Sequence, residues 1–474
     1  MSKPLRTALS RILRIKPPMP PQQQPAQAAV DLRHLPLAAV AALLLVLGLA
    51  AVSRKKKQLS PAAGTSVAAA LAFCSVSAAA VSFPFYQSRR DALGCDALCQ
   101  GGQTSLRSGL TLVGASLIGR ASDRFGRIPM LWIGLAATLV GLMMNLTLDS
   151  LNGMWYAIIP VALLNQNFSV SKALLTDYVE SAGGSKADVA GAVGKLGMAV
   201  GLSFMVGPVI STLLVKTYRE ALVLSAVLTS LTAVLIALLP TPKRVASAEA
   251  TAGCADVAAS PPKSAASGLV AFFRMPVLQT RGAQRLMAIR LLMAFAFHMW
   301  APVWQVSIRK RFDFQPQDHA RFMGLIGLSY ALSQGAISKP LIRRAGKDPT
   351  KLLAACITLL GGLRPIALYT GSIHVVYVLY VFMVIALGVM NTAIAAACSS
   401  LAEGDQLGGL FGVLESVEAV AGMLGPTLGG LAARTHDDLP LSLVLACYAS
   451  ALVLVSLFVG QHVIKVGGDD KKTL

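Results

Sequence analysis

The stretch Gly119-Arg-Ala-Ser-Asp-Arg-Phe-Gly-Arg-Ile-Pro129 lies at the junction of two long apolar segments, residues 104–121 and 128–148. Four of its residues carry a charge and therefore favour water over a bilayer core. Glycine permits a tight turn at position 126, and proline fits the first turn of the helix that follows. The stretch predicts a turn at a membrane surface between two spanning helices.

An internal repeat extends this pattern over the whole chain. The residues Arg124-Phe-Gly-Arg-Ile-Pro129 return as Arg344-Ala-Gly-Lys-Asp-Pro349, and Gly207-Pro208 returns as Gly425-Pro426. Because the two landmarks recur at nearly the same offset along the chain, we interpret the chain as a duplicated six-helix unit with both halves in the same orientation. Such repeats place a site near the bilayer midplane and expose it to alternate sides, which is the mechanism of a transporter.

Composition narrows the class of protein. Of the 474 residues, 55% are hydrophobic and 14% are charged, against roughly 25% charged in an average soluble chain. The mean hydropathy is +0.63. These values exclude a disordered chain, a disulfide scaffold and an ordinary soluble enzyme, and they favour an integral, multi-pass membrane protein.

The formal net charge of +20 does not require a nucleic-acid partner. The segment 1–58 holds ten basic residues and one acid, and cytoplasmic loops of membrane proteins collect lysine and arginine. No basic patch interleaved with aromatic residues, which nucleic-acid binding would favour, is present. If residue 60 lies in the cytoplasm, the predicted cytoplasmic loops hold more lysine and arginine than the loops on the other side. The basic residues 309–311 are an exception, because they fall on the non-cytoplasmic side.

Apolar segments define the predicted domains. Residues 61–240 form a first six-helix bundle, 241–283 a cytoplasmic linker, 284–463 a second six-helix bundle and 464–474 a tail. The twelve segments are 65–86, 104–121, 128–148, 152–177, 189–215, 219–240, 284–305, 320–342, 350–370, 374–398, 407–433 and 438–463. Residues 1–60 add a basic tail and an uncharged run, 35–53, for which two interpretations stay open: an extra N-terminal helix or a targeting sequence that is removed.

Seven scattered cysteines contain no CxxC pair, so the sequence predicts no metal site. Cys95 and Cys99 lie close together in a polar loop on the predicted non-cytoplasmic side. Either a small disulfide or two unrelated thiols fits this spacing.

The junction sequence resembles a known family signature. Gly119-Arg-Ala-Ser-Asp-Arg-Phe-Gly-Arg127 is similar to G-x-x-x-D-R-x-G-R, which the major facilitator superfamily carries between its second and third helices. The resemblance covers about 65–463. It implies an all-α membrane protein with the twelve-helix major facilitator fold, built of two six-helix bundles and working as a monomer. The surroundings of Met390-Asn391 and residues 408–430 resemble the eukaryotic branch of tetracycline-resistance-like and organic-cation-transporter-like carriers.

The same resemblance implies a gating cluster that locks the cytoplasmic side shut in the outward-facing state. We expect Asp123 and Arg127 to act as gate residues and not as substrate ligands, with Asp177 as a second acidic partner of Arg127. The candidate gating residues are Gly119, Asp123, Arg124, Gly126, Arg127 and Asp177.

Two Gly-Pro elements, Gly207-Pro208 and Gly425-Pro426, are candidate helix bends. The first resembles the fifth-helix signature of proton-coupled antiporters, in which it helps to prevent leak. Close helix packing through small residues is the alternative interpretation.

Ionisable residues inside spans are candidates for substrate or proton binding, since burial in lipid is costly. Glu415 and Glu418 share a helix face, and either could bind a cation or carry a proton. For Glu415 the alternative is a position at the membrane edge, paired with a basic residue of a loop. His298 could relay protons or be a packed or interfacial histidine. Arg290 and Lys172 could hold an anion or pair with the glutamates. Trp304 could line an aromatic pocket or anchor at the interface. Proton antiporters of the superfamily usually carry an arginine in the fourth helix; residues 155–171 contain none, and Lys172 is a displaced substitute.

Together these features predict a secondary active transporter of small organic solutes, with proton-coupled antiport or efflux as one form. A receptor or scaffold that keeps the fold without transport is the alternative. No enzyme activity, metal or other cofactor is expected, and the expected partners are the solute, protons and the lipid bilayer. The plasma membrane, an endomembrane and an organelle envelope stay open as locations.

Overall fold

A computed structural model describes residues 61–183, 186–240, 281–345, 350–401 and 406–456. The N-terminal region 1–60 with its apolar run, nearly all of the predicted linker and the tail lie outside the described residues. The described residues therefore belong mainly to the two predicted six-helix regions.

The described residues fold into α-helices that coincide with all twelve predicted segments, so the twelve-helix fold class is confirmed. The helices are α1 (Pro61–Ala92), α2 (Ala97–Phe125), α3 (Arg127–Thr147), α4 (Leu151–Leu164), α5 (Asn167–Ser181), α6 (Lys186–Leu214), α7 (Tyr218–Leu238), α8 (Arg281–Phe312), α9 (Pro316–Leu332), α10 (Ser338–Ala345), α11 (Thr350–Tyr369), α12 (Ile373–Leu401), α13 (Gln406–Thr435) and α14 (Leu439–Ser456). Among them, eight helices are long and apolar enough to cross a bilayer by length and composition.

Two spans consist of more than one helix. The fourth is divided into α4 and α5 at Asn165 and Gln166, where the Asn165 amide donates to Thr138 at 2.7 Å and accepts from the backbone of Asn167 at 3.2 Å. Side chains of this type compete with helix hydrogen bonds. In the eighth span a π-helical turn, Ser333–Ile337, joins α9 to α10.

Short polar turns define the two ends of the molecule. Gly126, with φ of 96°, separates α2 from α3, and we call this end the motif side. At the other end Cys95 and Cys99 form a disulfide bond in the turn between α1 and α2, where the Asp96 side chain caps α2. We call this end the disulfide side.

Each half of the chain has its own apolar core. In the first bundle the fully buried side chains include Leu131, Leu174 and Tyr178. In the second bundle they include Ile308 and Phe322. Each bundle therefore packs around a core of its own.

The two Gly-Pro elements of the repeat make equivalent helix contacts in the two bundles. A Cβ on Gly207 would lie 2.6 Å from Cβ of Ala80 on α1, and a Cβ on Gly425 would lie 2.9 Å from Cβ of His298 on α8. The separation in sequence between the two glycines equals the separation between their two contact partners. Each glycine thus lets α6 or α13 approach the first helix of its own bundle, and both helices continue through Pro208 and Pro426.

The two bundles contact each other closely toward the disulfide side. Thr427 on α13 donates from its hydroxyl to Ser105 on α2 at 2.8 Å, and a Cβ on Gly101 would overlap the carbonyl of Pro426. Arg309 on α8 pairs with Asp91 on α1 at 2.7 Å. These contacts close the space between the bundles at this end.

The basic run 309–311, which violates the predicted charge bias, has local partners. Arg309 joins the contact with Asp91. Arg311 donates to the carbonyls of Ala367 and Thr370, at the carboxyl end of α11. A cation is favourable at a helix carboxyl end, so local contacts account for two of the three charges.

Candidate functional site

The motif side carries an ion cluster centred on Arg127, the first residue of α3. Its guanidinium contacts Asp123 at 2.5 Å, four residues earlier on α2, and Asp177 on α5 at 3.1 Å. A further bond reaches the Ser122 hydroxyl at 3.1 Å. Arg127 therefore ties three helices of the first bundle together.

Two other residues of the motif lie apart from this contact. The Arg124 guanidinium lies over the ring of the exposed Phe125, 5.4 Å from its centre. A Cβ added to Gly119 would meet no heavy atom within 4 Å. Close packing therefore does not explain why glycine occupies position 119.

A second cluster lies within the spans of the second bundle. The Glu418 carboxylate on α13 contacts Arg290 on α8 at 2.6 Å and His298, also on α8, at 3.2 Å. Arg290 also donates to the Asn391 amide oxygen on α12 at 2.6 Å. The structure therefore brings together three of the predicted substrate or proton residues.

The Glu418 cluster is enclosed but not sealed from water. The Glu418 side chain keeps 33% of its surface exposed, against 16% for Arg290 and 21% for His298. Its one negative charge is balanced by Arg290, which lowers the cost of holding it inside a span. A carboxylate with a basic neighbour on each oxygen and a path to water can exchange a proton.

The remaining candidates lie elsewhere. Glu415 has an exposed side chain. The Lys172 ammonium lies 4.6 Å from the centre of the Phe168 ring, one turn earlier on α5. Trp304 is buried and stacks on Tyr380 with 4.7 Å between ring centres, inside the apolar core of the second bundle. Trp304 therefore packs within this core, and its predicted place in an aromatic pocket or at the interface stays a prediction.

Sequence reasoning missed Arg107 on α2. This residue lies within α2 and has an exposed side chain. A charge inside a span costs roughly 2.5–3.5 kcal/mol on insertion scales. The sequence does hold a signal for it, because Arg107 is followed by twelve uncharged residues before the next charge, Arg120.

A sequence model of the Major Facilitator Superfamily matches residues 65–426. The chain belongs to this superfamily. Membership makes this major facilitator protein an integral, multi-pass membrane protein and a membrane transporter with a small-molecule substrate. No curated protein matches its sequence significantly.

Solved structures agree with the fold of this major facilitator protein. The human organic anion transporter MFSD10 (TETRAN) is similar over 84% of this chain and 100% of its own, with 17% identity and a TM-score of 0.58. The nucleoside transporter NupG is similar over 83% and 98%, with 13% identity and a TM-score of 0.60. A POT family transporter in complex with a thioalcohol-conjugated peptide is similar over 83% and 95%, with 15% identity and a TM-score of 0.61.

Proposed function

We propose that this chain is a secondary active transporter that exchanges small organic solutes for protons by alternating access. The observation that carries the proposal is the cluster of Glu418, Arg290 and His298 inside the spans of the second bundle. Intramembrane ionisable residues mark solute and proton paths in transporters, because their burial is otherwise unfavourable. The eukaryotic branch of tetracycline-resistance-like and organic-cation-transporter-like carriers remains part of this proposal.

Two features support alternating access. The bundles meet closely on the disulfide side through Thr427 and Ser105, and through Arg309 and Asp91. The Arg127 cluster joins helices of the first bundle. We infer that the motif side is cytoplasmic and that this conformation faces inward, with the Arg127 cluster acting as a gate when the bundles close on that side. A disulfide on the opposite side supports this orientation, since disulfides persist in oxidising compartments.

The solute is inferred from the site and from similar structures. Those structures are of an organic anion transporter, a nucleoside transporter and a transporter with a bound peptide conjugate. All of these ligands are small organic molecules, which supports the same broad class here. The Asp123 loop and both Gly-Pro elements favour transport over a receptor or scaffold role.

The proposed proton step uses the Glu418 carboxylate. A proton from one side of the membrane binds a Glu418 carboxylate oxygen and neutralises it, which removes the ion pair with Arg290. Arg290 retains its bond to Asn391. When the bundles reorient, the proton leaves Glu418 to the other side and the ion pair forms again.

The test uses the full chain in liposomes that contain a pH-sensitive dye. After a pH gradient is imposed, organic cations, anions and sugars are added one at a time. We expect one class to trigger proton movement that falls at least about a hundredfold in Glu418→Gln, because that variant cannot exchange the proton. Glu415→Gln, a substitution of an exposed residue on the same helix, is the matched control and should retain wild-type flux.

Three results would contradict the proposal. Proton movement that persists in Glu418→Gln would exclude the proton step. Solute counterflow without any proton movement would indicate a uniporter. Neither counterflow nor proton movement with any compound would favour the receptor or scaffold alternative.

A further inference from the structure

Two arginines of the first bundle, Arg90 and Arg107, lie near each other and form no ion pair among the described residues. The Arg90 guanidinium lies 4.5 Å from the centre of the Tyr86 ring, and Arg107 is close enough to Arg90 and Tyr86 to interact with both electrostatically. Among the residues that the structure describes, neither guanidinium forms an ion pair. Asp91, the acid next to Arg90 in the chain, contacts Arg309 instead.

Helix geometry brings the two side chains together. α1 and α2 are antiparallel neighbours in the chain, joined by a short turn on the disulfide side. Side chains lean toward the amino terminus of their own helix. Arg90 on α1 therefore leans toward the middle of the membrane, and Arg107 on α2 leans toward the disulfide side. From this lean we expect the two guanidinium groups to approach each other near the level of Tyr86.

Buried polar atoms without hydrogen-bond partners lie on the same segments of α1 and α2. Gln103 lies one turn from Arg107 on the same face of α2, is fully buried, and has no hydrogen-bond partner for either amide atom within the described part of the chain. The same holds for Nε of the buried Arg90 and for the side-chain oxygen of Gln87. Buried polar groups are nearly always paired in folded proteins, so the two donors in this set, Nε of Arg90 and Nε2 of Gln103, indicate a place for an acceptor on a ligand.

We propose that Arg90 and Arg107 bind the negatively charged group of the transported solute, which makes the substrate an organic anion with a carboxylate, phosphate or sulfonate. The planar guanidinium presents donors in a fork that matches these groups. The Tyr86 hydroxyl and the Gln103 amide provide neutral donors beside them. This inference rests on the proposed transport function and specifies its substrate class.

Access to the site agrees with this assignment. Arg107 has an exposed side chain, whereas Arg90 and Gln103 are buried. We therefore expect an anion to meet Arg107 first. The positive charge of the pair would also attract anions and repel cations.

The test measures thermal unfolding of the purified full-length chain with benzoate, succinate or inorganic phosphate, and with tetraethylammonium or glucose for comparison. We expect anions to stabilise the wild type. Arg107→Gln and Arg90→Gln should each raise the half-saturating anion concentration about tenfold or more, because each removes a charge-assisted hydrogen bond. Arg107→Lys, which keeps the charge, should retain part of the response. Arg321→Gln, at a side chain that is 74% exposed, is the matched control and should bind as the wild type does.

A second readout separates ligand binding from a structural role. Because the two cations repel each other, unliganded Arg107→Gln should unfold at the same temperature as the wild type or at a higher one. A structural role predicts the reverse, namely a lower unfolding temperature with an unchanged response to anions.

Several outcomes would overturn the proposal. They are an unchanged anion response in both glutamine variants, stabilisation by tetraethylammonium or glucose alone, and no response to any anion. If tetraethylammonium or glucose alone stabilises the protein and also exchanges in liposomes, the transport function stands and only its substrate class is wrong. If the anions bind but no compound is transported, the transport function fails.

Discussion

In the second bundle, the Glu418 carboxylate lies between Arg290 and His298, so the acid has basic neighbours on both oxygens. In the first bundle, Arg90 and Arg107 lie near one another, and neither forms an ion pair among the described residues. Both arrangements lie within helices that cross the membrane. In the second bundle the charge of Glu418 is balanced by Arg290, whereas the pair of arginines in the first bundle carries an excess of positive charge.

The repeat makes this difference informative. At the offset that relates the two Gly-Pro elements, Glu418 corresponds to Val200 and Arg107 corresponds to Leu325. The helices and their Gly-Pro contacts are duplicated, but the charges are not. Under the proposed function, the shared scaffold supplies the movement, whereas the charges differ in role. We propose that those of the second bundle serve proton exchange and that those of the first bundle serve anion binding.

The largest effect on stability is expected for Arg290→Gln. This change leaves Glu418 with His298 as its basic neighbour, and breaking an enclosed ion pair is strongly unfavourable. Because a third of the Glu418 side chain meets water, we expect a loss of about 2–3 kcal/mol in the free energy of unfolding. Chemical denaturation measures it, and the double variant with Glu418→Gln should recover most of the loss. Equal stability of Arg290→Gln and Arg107→Gln would remove the contrast between the bundles.

Helix packing in the second bundle should respond to Gly429→Ala. A Cβ at this position would overlap the Met299 carbonyl oxygen on α8, and overpacking costs about 1–3 kcal/mol. Gly197→Ala is the matched control, since a Cβ there meets no heavy atom within 4 Å. Thermal unfolding should show a decrease for the first change and none for the second. A decrease of equal size for both would mean that helix approach does not explain these glycines.

The smallest effect on stability is expected on the motif side of the first bundle. Asp123→Asn should reduce turnover about tenfold, a loss of roughly 1.4 kcal/mol in transition-state stabilisation, while solute affinity stays near that of the wild type. The free energy of unfolding should change by less than about 1 kcal/mol, because the Asp123 side chain is 70% exposed and exposed ion pairs contribute little. Initial transport rates and equilibrium binding measure the two effects. A parallel loss of affinity would assign Asp123 to solute binding.

Much of the fold follows from the sequence because apolar runs of membrane length become helices. The division of the fourth span was not predicted, since residues 152–177 are apolar enough to form one helix. Asn165 ends α4 through hydrogen bonds to Thr138 and Asn167, two partners that a search for apolar segments does not identify.

Contacts between charged residues could be predicted where one partner belongs to a motif or is an acidic residue inside a span. Asp177 was expected beside Arg127, and pairing of Arg290 with a glutamate was one open interpretation. The stacking of Trp304 on Tyr380 in the core was not predicted, because the sequence does not show which rings of α8 and α12 meet. Arg107 was missed because it belongs to no motif, and its proximity to Arg90 depends on how α1 and α2 pack.

The most direct test of this division of roles measures two kinds of solute movement in the same liposomes. One is exchange of labelled for unlabelled organic anion at equal pH, and the other is accumulation driven by a pH gradient. Glu418→Gln should retain exchange and lose accumulation, whereas Arg107→Gln should lose both at the anion concentration that half-saturates the wild type. Accumulation by Glu418→Gln, or exchange at the wild-type rate by Arg107→Gln, would contradict the assignment of proton and anion to separate bundles.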